Sequence, residues 1–339
     1  MASTAAQIHE ESVIVNGLAQ PGNLPLAYDA MIDGGITASN LTVAANEDFP
    51  AAVKGFEYAL RTMEQHSRAD RLTLIENAAD IRAAKDAGLT GVIMGFQNAD
   101  PIEDDLDYLH VFRRLGLRVM QLTYQRRNLL GDGSSEPADA GLSMFGRQVV
   151  EACNELGILV DVSHCGHQTS LDAVEASSAP IVISHANLQS INPVFRNKKD
   201  EVVKAVAERG GLMGVTAVSR LLSARGNEDG ADLSQFLDHI EAVIELVGID
   251  HVGVGLDISE GMTQEEFEVR RKTFLTKFPE LRMGGAFPLE HYFARGISSA
   301  AEFPNITEGL VERGYTSGDV KQIVGGNFMR VFDEVFVSS

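Results

Sequence analysis

Ile158-Leu-Val-Asp-Val-Ser-His164 and Ile181-Val-Ile-Ser-His185 are two short β-branched runs, and each ends in a histidine. Val252-Gly-Val-Gly-Leu-Asp257 is a third run of the same kind, closed by a carboxylate. Runs this short and this apolar read as strands buried on both faces, as in a parallel sheet covered by helices. A strand that ends in an imidazole or a carboxylate is how a parallel α/β barrel presents chemistry, because such a barrel keeps its site at the C-terminal mouth of its strands.

The same rhythm extends in both directions along the chain. Strands are predicted at 12–17, 36–43, 91–97, 117–124, 158–164, 181–185, 212–217 and 251–257, with a shorter accessory run at Leu72-Thr-Leu-Ile75. Helical spacing fills the gaps, for example Val53, Phe56, Leu60 and Met63 within 51–69, and again at 145–156, 171–177, 199–208 and 233–247. Gly88, Gly116, Gly157, Gly210-Gly211 and Gly248 stand where helices should stop. Strand and helix alternating eight times favours a (β/α)8 barrel over an open doubly wound sheet. No Gly-x-Gly-x-x-Gly follows the first strand, which argues against a dinucleotide fold.

No Pro-, Gly- or Ser-rich linker divides the chain, so residues 1–339 are expected to form one barrel domain. Residues 258–300 are irregular, with a charged helix from 263 to 274 and then Gly284-Gly285-Ala-Phe-Pro288, and are expected to lie over the mouth. Residues 317–336 read as a C-terminal helix packed on the barrel.

Of the 339 residues, 44% are hydrophobic, yet no apolar run approaches the roughly 18 residues that span a bilayer. The start, Met-Ala-Ser-Thr-Ala-Ala-Gln, has neither a basic n-region nor an apolar h-region. Two cysteines, Cys153 and Cys165, are too few for a disulfide framework and fit a reduced compartment. A cytoplasmic enzyme with no membrane partner is expected. A formal charge of −20 repels phosphate backbones, which excludes nucleic acid as a partner.

Strict alternation along the strands puts Val160, Val162 and His164 on one face, and Ile181, Ile183 and His185 on one face; the inward face fits a mouth site. Gly253 and Gly255 would leave room beside Asp257, which reads as a metal ligand or a general base. Arg196, followed by Asn197, could clamp a substrate carboxylate, or it is a solvated loop charge. Cys165 and His167 could add a soft ligand or a nucleophile, although Cys165 reads better as a small loop residue. Tyr124, Asn128, Asn16, Gln20, Asn40 and Gln97 are polar groups at strand ends, suited to hydrogen-bonding a substrate.

Six blocks carry a family resemblance. They are Leu117-Arg-Val-Met-Gln-Leu-Thr-Tyr-Gln-Arg-Arg-Asn128, Gly141-Leu-Ser-Met-Phe-Gly146, Asn154-Glu-Leu-Gly-Ile-Leu-Val-Asp-Val-Ser-His164, Pro180-Ile-Val-Ile-Ser-His185, Arg196-Asn197 and Gly253-Val-Gly-Leu-Asp257. In this order they resemble the membrane (renal) dipeptidases, peptidase family M19. The resemblance implies a TIM-type barrel of the metallo-dependent hydrolase kind, a dinuclear zinc centre and a homodimer or higher homo-oligomer. By motif it implies His164 and His185 as ligands of the second metal, Arg196 as the holder of a substrate carboxylate, and Asp257 near the metal-bound water. The family's first-strand His-x-Asp falls on Leu18 and Gln20, its bridging Glu on Gln97, and its carbonyl-polarising His on Tyr124.

Leucine cannot bind a cation, and one remaining carboxylate cannot offset two divalent ions in a dry mouth. The expectation is that the dinuclear centre is lost. At most one Zn2+ would remain, on His164 and His185, with Asp257 or a water and the Gln97 oxygen to complete its shell, and the limiting case is no metal at all. The leading functional reading is a metal-dependent hydrolase acting on a dipeptide or small amide-containing carboxylic acid. Asp257 and Tyr124 would be its catalytic groups, and Arg196, Asn197 and Asn128 its substrate contacts. Two alternatives stand beside it. One is a metal-free or metal-light lyase or isomerase moving protons with His, Asp and Tyr on a small carboxylate; the other is a non-catalytic small-molecule binder.

Overall fold

A computed structural model describes residues 3–279 and 286–336; Gly284 and Gly285 lie outside the described residues. The strands are β1 (Val15–Ala19), β2 (Ala38–Ala44), β3 (Leu72–Leu74), β4 (Thr90–Phe96), β5 (Leu117–Gln121), β6 (Leu159–Asp161), β7 (Val182–Ala186), β8 (Leu212–Val215) and β9 (Val252–Val254). Eight of them pair in parallel in the order β1-β2-β4-β5-β6-β7-β8-β9, and β3 flanks β4 as the accessory strand. The ring closes where Ala19 bridges Ile258 and the Asp257 amide donates to the Leu18 carbonyl at 3.0 Å. This is the (β/α)8 barrel expected from the alternation.

Helices Phe49–Gln65, Ala78–Ala87, Leu106–Leu115, Met144–Leu156, His167–Ala176, Asp200–Glu208 and Leu233–Val247 lie between the strands. Gly88 and Gly157 end their helices at φ 67° and 64°, a left-handed conformation that costs a residue with a Cβ dearly. The C-terminal stretch is interrupted. Ser317–Lys321 runs into a wide turn at Gln322–Gly326 before Asn327–Val335 resumes. Gly325 makes the turn possible, since a Cβ there would meet the Val13 carbonyl at 2.0 Å.

The two sides of the strands pack differently. Val15, Ala38, Ile93, Val119, Leu159, Val182 and Leu212 form one cluster with Phe328 and Phe332 of the C-terminal helix, an apolar layer across the barrel's base. Val160, Val162, Ile181 and Ile183 instead pack with the surrounding helices, in a cluster with Val149, Val150, Val202 and Val206. The alternation reading was therefore out of phase: these four side chains point outward, and strict alternation would have sent His164 and His185 out with them. The backbone corrects this locally. Regular β6 ends at Asp161 and a turn follows, while the β7–β8 register shifts between Ile183 and Ala186. Irregularities of this kind re-aim side chains.

Above the apolar layer the inward positions become small or polar. A Cβ on Gly17, Gly214 or Gly255 would sit 2.5, 2.1 or 1.9 Å from the Ser184 carbonyl, so these three glycines let β7 press into the barrel axis. Gly253 is likewise filled, by the Phe328 ring at 2.7 Å. The expected room beside Asp257 is therefore taken up by backbone and by an aromatic ring.

Candidate active site

Asp161 organises the inner layer. Its Oδ1 accepts from the Ser163 amide (2.9 Å), the Ser163 hydroxyl (2.5 Å) and the Ser184 amide (3.0 Å), and its Oδ2 accepts from the Ser184 hydroxyl (2.6 Å). The Ser184 hydroxyl donates its one hydrogen in the bond to Asp161, so it accepts from His185 Nδ1–H at 2.7 Å. His185 is therefore the Nδ1–H tautomer, and its Nε2 carries a lone pair. That lone pair faces His164 Nε2 at 3.0 Å and the Gln97 amide nitrogen at 3.3 Å. His164 must then be the Nε2–H donor, which leaves its buried Nδ1 without a partner among the described residues. Burial and the nearby Arg196 push both imidazoles well below the usual histidine range, so both are neutral.

Tyr124 stacks on His164 with ring centroids 4.4 Å apart. Burial and the neighbouring Asp257 raise its hydroxyl pKa, so it stays protonated. Asp257 sits at φ 60°, unusual for a residue with a side chain. Gln125, also on the cavity wall, has φ 62°. Backbone held in this region needs support from its surroundings and is concentrated at functional sites. Asp257 Oδ1 accepts from Gln20 Nε2 at 2.5 Å. Burial raises the carboxyl pKa above the ordinary aspartate value, against the opposing pull of Gln20 and Arg196.

Tyr124, His164, Arg196, Asp257 and Gln20 line one cavity of about 670 Å3, its opening to solvent included. Met262, Phe267, Arg270, Arg271, Phe274 and Tyr292, all within 258–300, form much of its outer wall, and Arg220 and Leu221 follow β8. Gln97 lines a neighbouring cavity with Gln20, Thr42, Tyr124 and Lys277. The Gln97 Oε1 accepts from Gln20 at 3.2 Å.

Arg196 is 1% exposed, and its two η nitrogens donate to the Ser163 and His185 carbonyls at 2.7 Å each. It braces the two histidine-bearing turns as well as facing the cavity, and burial lowers its pKa to about 10. Asn197 and Asn128 are placed elsewhere than the sequence suggested. Asn197 Nδ2 holds the Asn192 and Leu221 carbonyls at 2.9 and 2.8 Å. Asn128 bonds Asn98 Oδ1, the Leu122 carbonyl and the Leu130 amide. Neither is in the cavity wall; both organise loops. Cys165 is buried, with its thiol pKa raised by that burial, and His167 pairs with Glu201 at 3.1 Å, so neither joins the site.

Several residues of the site escaped the sequence reading. Asp161 was in plain view as a charged residue inside an apolar run. Ser184 beside it gave no signal of its own. Arg220, Arg270 and Arg271 sit in segments without motif character, and only the fold brings them to the mouth.

A closed parallel barrel with a polar inner layer and a cavity at its C-terminal mouth defines a (β/α)8 protein with a mouth-facing site. The chain matches the sequence profile of the membrane dipeptidases (peptidase family M19) over residues 18–273 and 281–338, and it belongs to that family. It is 27% identical over 277 residues to dipeptidase tcpJ of Claviceps purpurea (strain 20.1), a match covering 81% of this chain and 57% of that protein. The chain thus spans little more than half the length of that relative. It superposes on the crystal structure of an amidohydrolase from Pseudomonas aeruginosa with a TM-score of 0.87 and 34% identity, covering 98% of this chain and 99% of that one. A metallo peptidase from Rhodobacter sphaeroides, crystallised with a phosphinate mimic of the dipeptide L-Ala-D-Ala, shares the fold at TM-score 0.78 and 20% identity, over 96% of this chain and all of that one.

The family implies a divalent metal such as zinc, and the donors present can be tested against it. Two imidazole nitrogens on one tetrahedral zinc stand about 3.3 Å apart, and a catalytic zinc takes three protein ligands. His164 and His185 present their Nε2 atoms 3.0 Å apart, close to that spacing, so the pair supplies two ligands for one ion. Among the described residues no three His, Cys, Asp or Glu side chains are grouped to hold an ion. Leu18 is a buried apolar residue on β1, and Gln20 and Gln97 bond one another as amides. These donors do not fit the family's two-ion centre and fall one ligand short of a catalytic zinc.

Among the described residues, no helix is long and apolar enough to cross a membrane.

Proposed function

We propose that the chain is a hydrolase of small amide-containing acids, of dipeptide class, whose reaction runs in the mouth cavity without the two-metal centre of its family. One observation carries the reading: Asp257, Tyr124 and Arg196, a raised-pKa acid, a protonated phenol and a buried cation, line a single cavity at the barrel mouth. Gln20 occupies Oδ1 of Asp257, so the other oxygen is the basic one and takes a proton from water. Tyr124 supplies a hydrogen bond to the oxyanion that forms on the amide carbonyl. Arg196 and its cationic neighbours hold the substrate carboxylate. The helix Gln264–Lys277 walls off solvent, which strengthens each of these charges.

A second reading is favoured by the donor set that falls short of zinc. The same Asp257 can abstract a proton next to a carboxylate, with the arginines stabilising the resulting enediolate, as in a lyase or isomerase. Mass spectrometry of products from a panel of dipeptides, N-acyl amino acids and small hydroxy acids decides between them. Hydrolysis products lost in Asp257→Asn support the first reading. Isomerised or cleaved hydroxy acids with no amide hydrolysis favour the second. Tight binding without turnover of any panel member refutes both and leaves a binding protein. The two buried thiols, Cys153 and Cys165, fit a reduced compartment, and light scattering tests the expected homo-oligomer.

A further inference from the structure

The cavity is cationic in an acidic protein. Four guanidinium groups, Arg196, Arg220, Arg270 and Arg271, face it against one carboxylate, Asp257, although the chain as a whole carries −20. None of the four forms an ion pair among the described residues, while arginines elsewhere, such as Arg313 with Asp238 and Glu241, do. Arg270 is exposed and donates to Ser259, so solvent and that hydroxyl accommodate it. Arg220 and Arg271 are different. Arg271 is only 9% exposed, and among the described residues the Nε atoms of both are buried with no hydrogen-bond partner. A buried N–H donor without a partner is costly, and such donors are satisfied when something completes them.

A single substrate carboxylate does not complete them. Arg196 already has a backbone carbonyl on each η nitrogen, and one carboxylate offsets one charge. The three arginines come from separate segments: the loop after β7, the short helix Ser219–Leu222 after β8 and the helix Gln264–Lys277. We propose that the cavity takes a dianionic, dipeptide-sized acid, with one carboxylate at Arg196 and a second held by Arg220 and Arg271. This names the substrate class within the hydrolase reading and rests on it. Phe267, Phe274 and Tyr292 supply apolar wall for the body of the molecule.

Ala-Glu and Ala-Gln have nearly the same shape and differ by one charge. Their binding is measured by calorimetry on the Asp257→Asn chain, alongside glutarate and butyrate as probes without an amide. Ala-Glu is expected to bind at least about tenfold more tightly than Ala-Gln, as charge-assisted pairing to buried arginine requires. The preference should fall to within about twofold in Arg220→Gln and in Arg271→Gln, and Arg271→Lys, which keeps the charge, should retain most of it. Equal binding of Ala-Glu and Ala-Gln, or a preference untouched by all three variants at unchanged melting temperature, overturns the inference. If no dipeptide binds but glutarate outbinds butyrate with the same arginine dependence, the diacid site stands and the dipeptide reading falls. If dipeptides are hydrolysed without regard to the second charge, the reading stands and the diacid site falls.

Discussion

Ser184→Ala removes one oxygen and disturbs three groups. In the native chain the Ser184 hydroxyl donates to Asp161 Oδ2 at 2.6 Å and accepts from His185 Nδ1 at 2.7 Å, all within buried structure. Its loss strips a hydrogen bond from the Asp161 carboxylate and leaves a buried Nδ1–H without an acceptor. A buried donor left unpaired costs about 1–3 kcal/mol, and a hydrogen bond to a charged group is worth about 1.5–3 kcal/mol. Partial relaxation reduces the sum, so a destabilisation of about 2–5 kcal/mol is expected, a fall in melting temperature on the order of 3–7 °C for a chain of this length. The cheapest relaxation moves the His185 proton from Nδ1 to Nε2, which forces His164 to give up its Nε2–H as well. Two-bond 1H–15N correlation spectra of histidine-labelled protein read both tautomers directly. The native spectrum should show His185 as Nδ1–H and His164 as Nε2–H, and the Ser184→Ala spectrum should show the pair exchanged. A native His185 carrying its proton on Nε2, or a variant within 1 °C of native, refutes this reasoning.

Three further outcomes follow from the same contacts. Burial raises the Asp257 pKa, and a base must be deprotonated to work, so the acid limb of kcat/KM should lie above the ordinary aspartate value; Gln20→Leu removes a bond that lowers that pKa and should move the limb to higher pH. A limb that moves to lower pH contradicts the Asp257 assignment. Gly255→Ala places a Cβ 1.9 Å from the Ser184 carbonyl, a backbone atom that cannot step aside, and should cost about 3 kcal/mol in a denaturant titration. Lys198 is buried, donating to the Cys165 carbonyl and Ser170, and burial lowers its pKa from 10.5 to about 8. Between these values the unfolded chain binds more protons than the folded one. Stability should therefore rise with pH across that window by up to about 3 kcal/mol, and the rise should vanish in Lys198→Met.

The barrel was legible because its signal is repeated. Eight apolar runs separated by helical spacing leave little choice of architecture, and every observed strand overlaps an expected one, with β1, β2, β4 and β7 running one or two residues past its bounds. Side-chain direction was not legible, because it depends on where each strand stops being regular. Period-2 reasoning put Val160 and Ile183 inside, and the turn after Asp161 and the register shift after Ile183 decided otherwise. Glycine was misread for a related reason. An absent side chain signals close approach as often as open space, and only the packed neighbour tells which. His164, Asp257, Tyr124, Gln20 and Arg196, which strand ends and family motifs mark, line one cavity. Arg220 and Arg271 were invisible because their meeting depends on two helices far apart in sequence. Arg196 was anticipated as a clamp, but its bracing of the two histidine turns depends on carbonyls, which a sequence does not display.

The central claim is that this mouth works without the two-metal centre of its family. Metal content by inductively coupled plasma mass spectrometry, measured on the same preparation whose dipeptide turnover is assayed, tests it most directly. Turnover is expected at fewer than two ions per chain, unchanged when divalent ions are titrated in to two per chain. Two tightly held ions per chain, with turnover rising in proportion to the second, would contradict it.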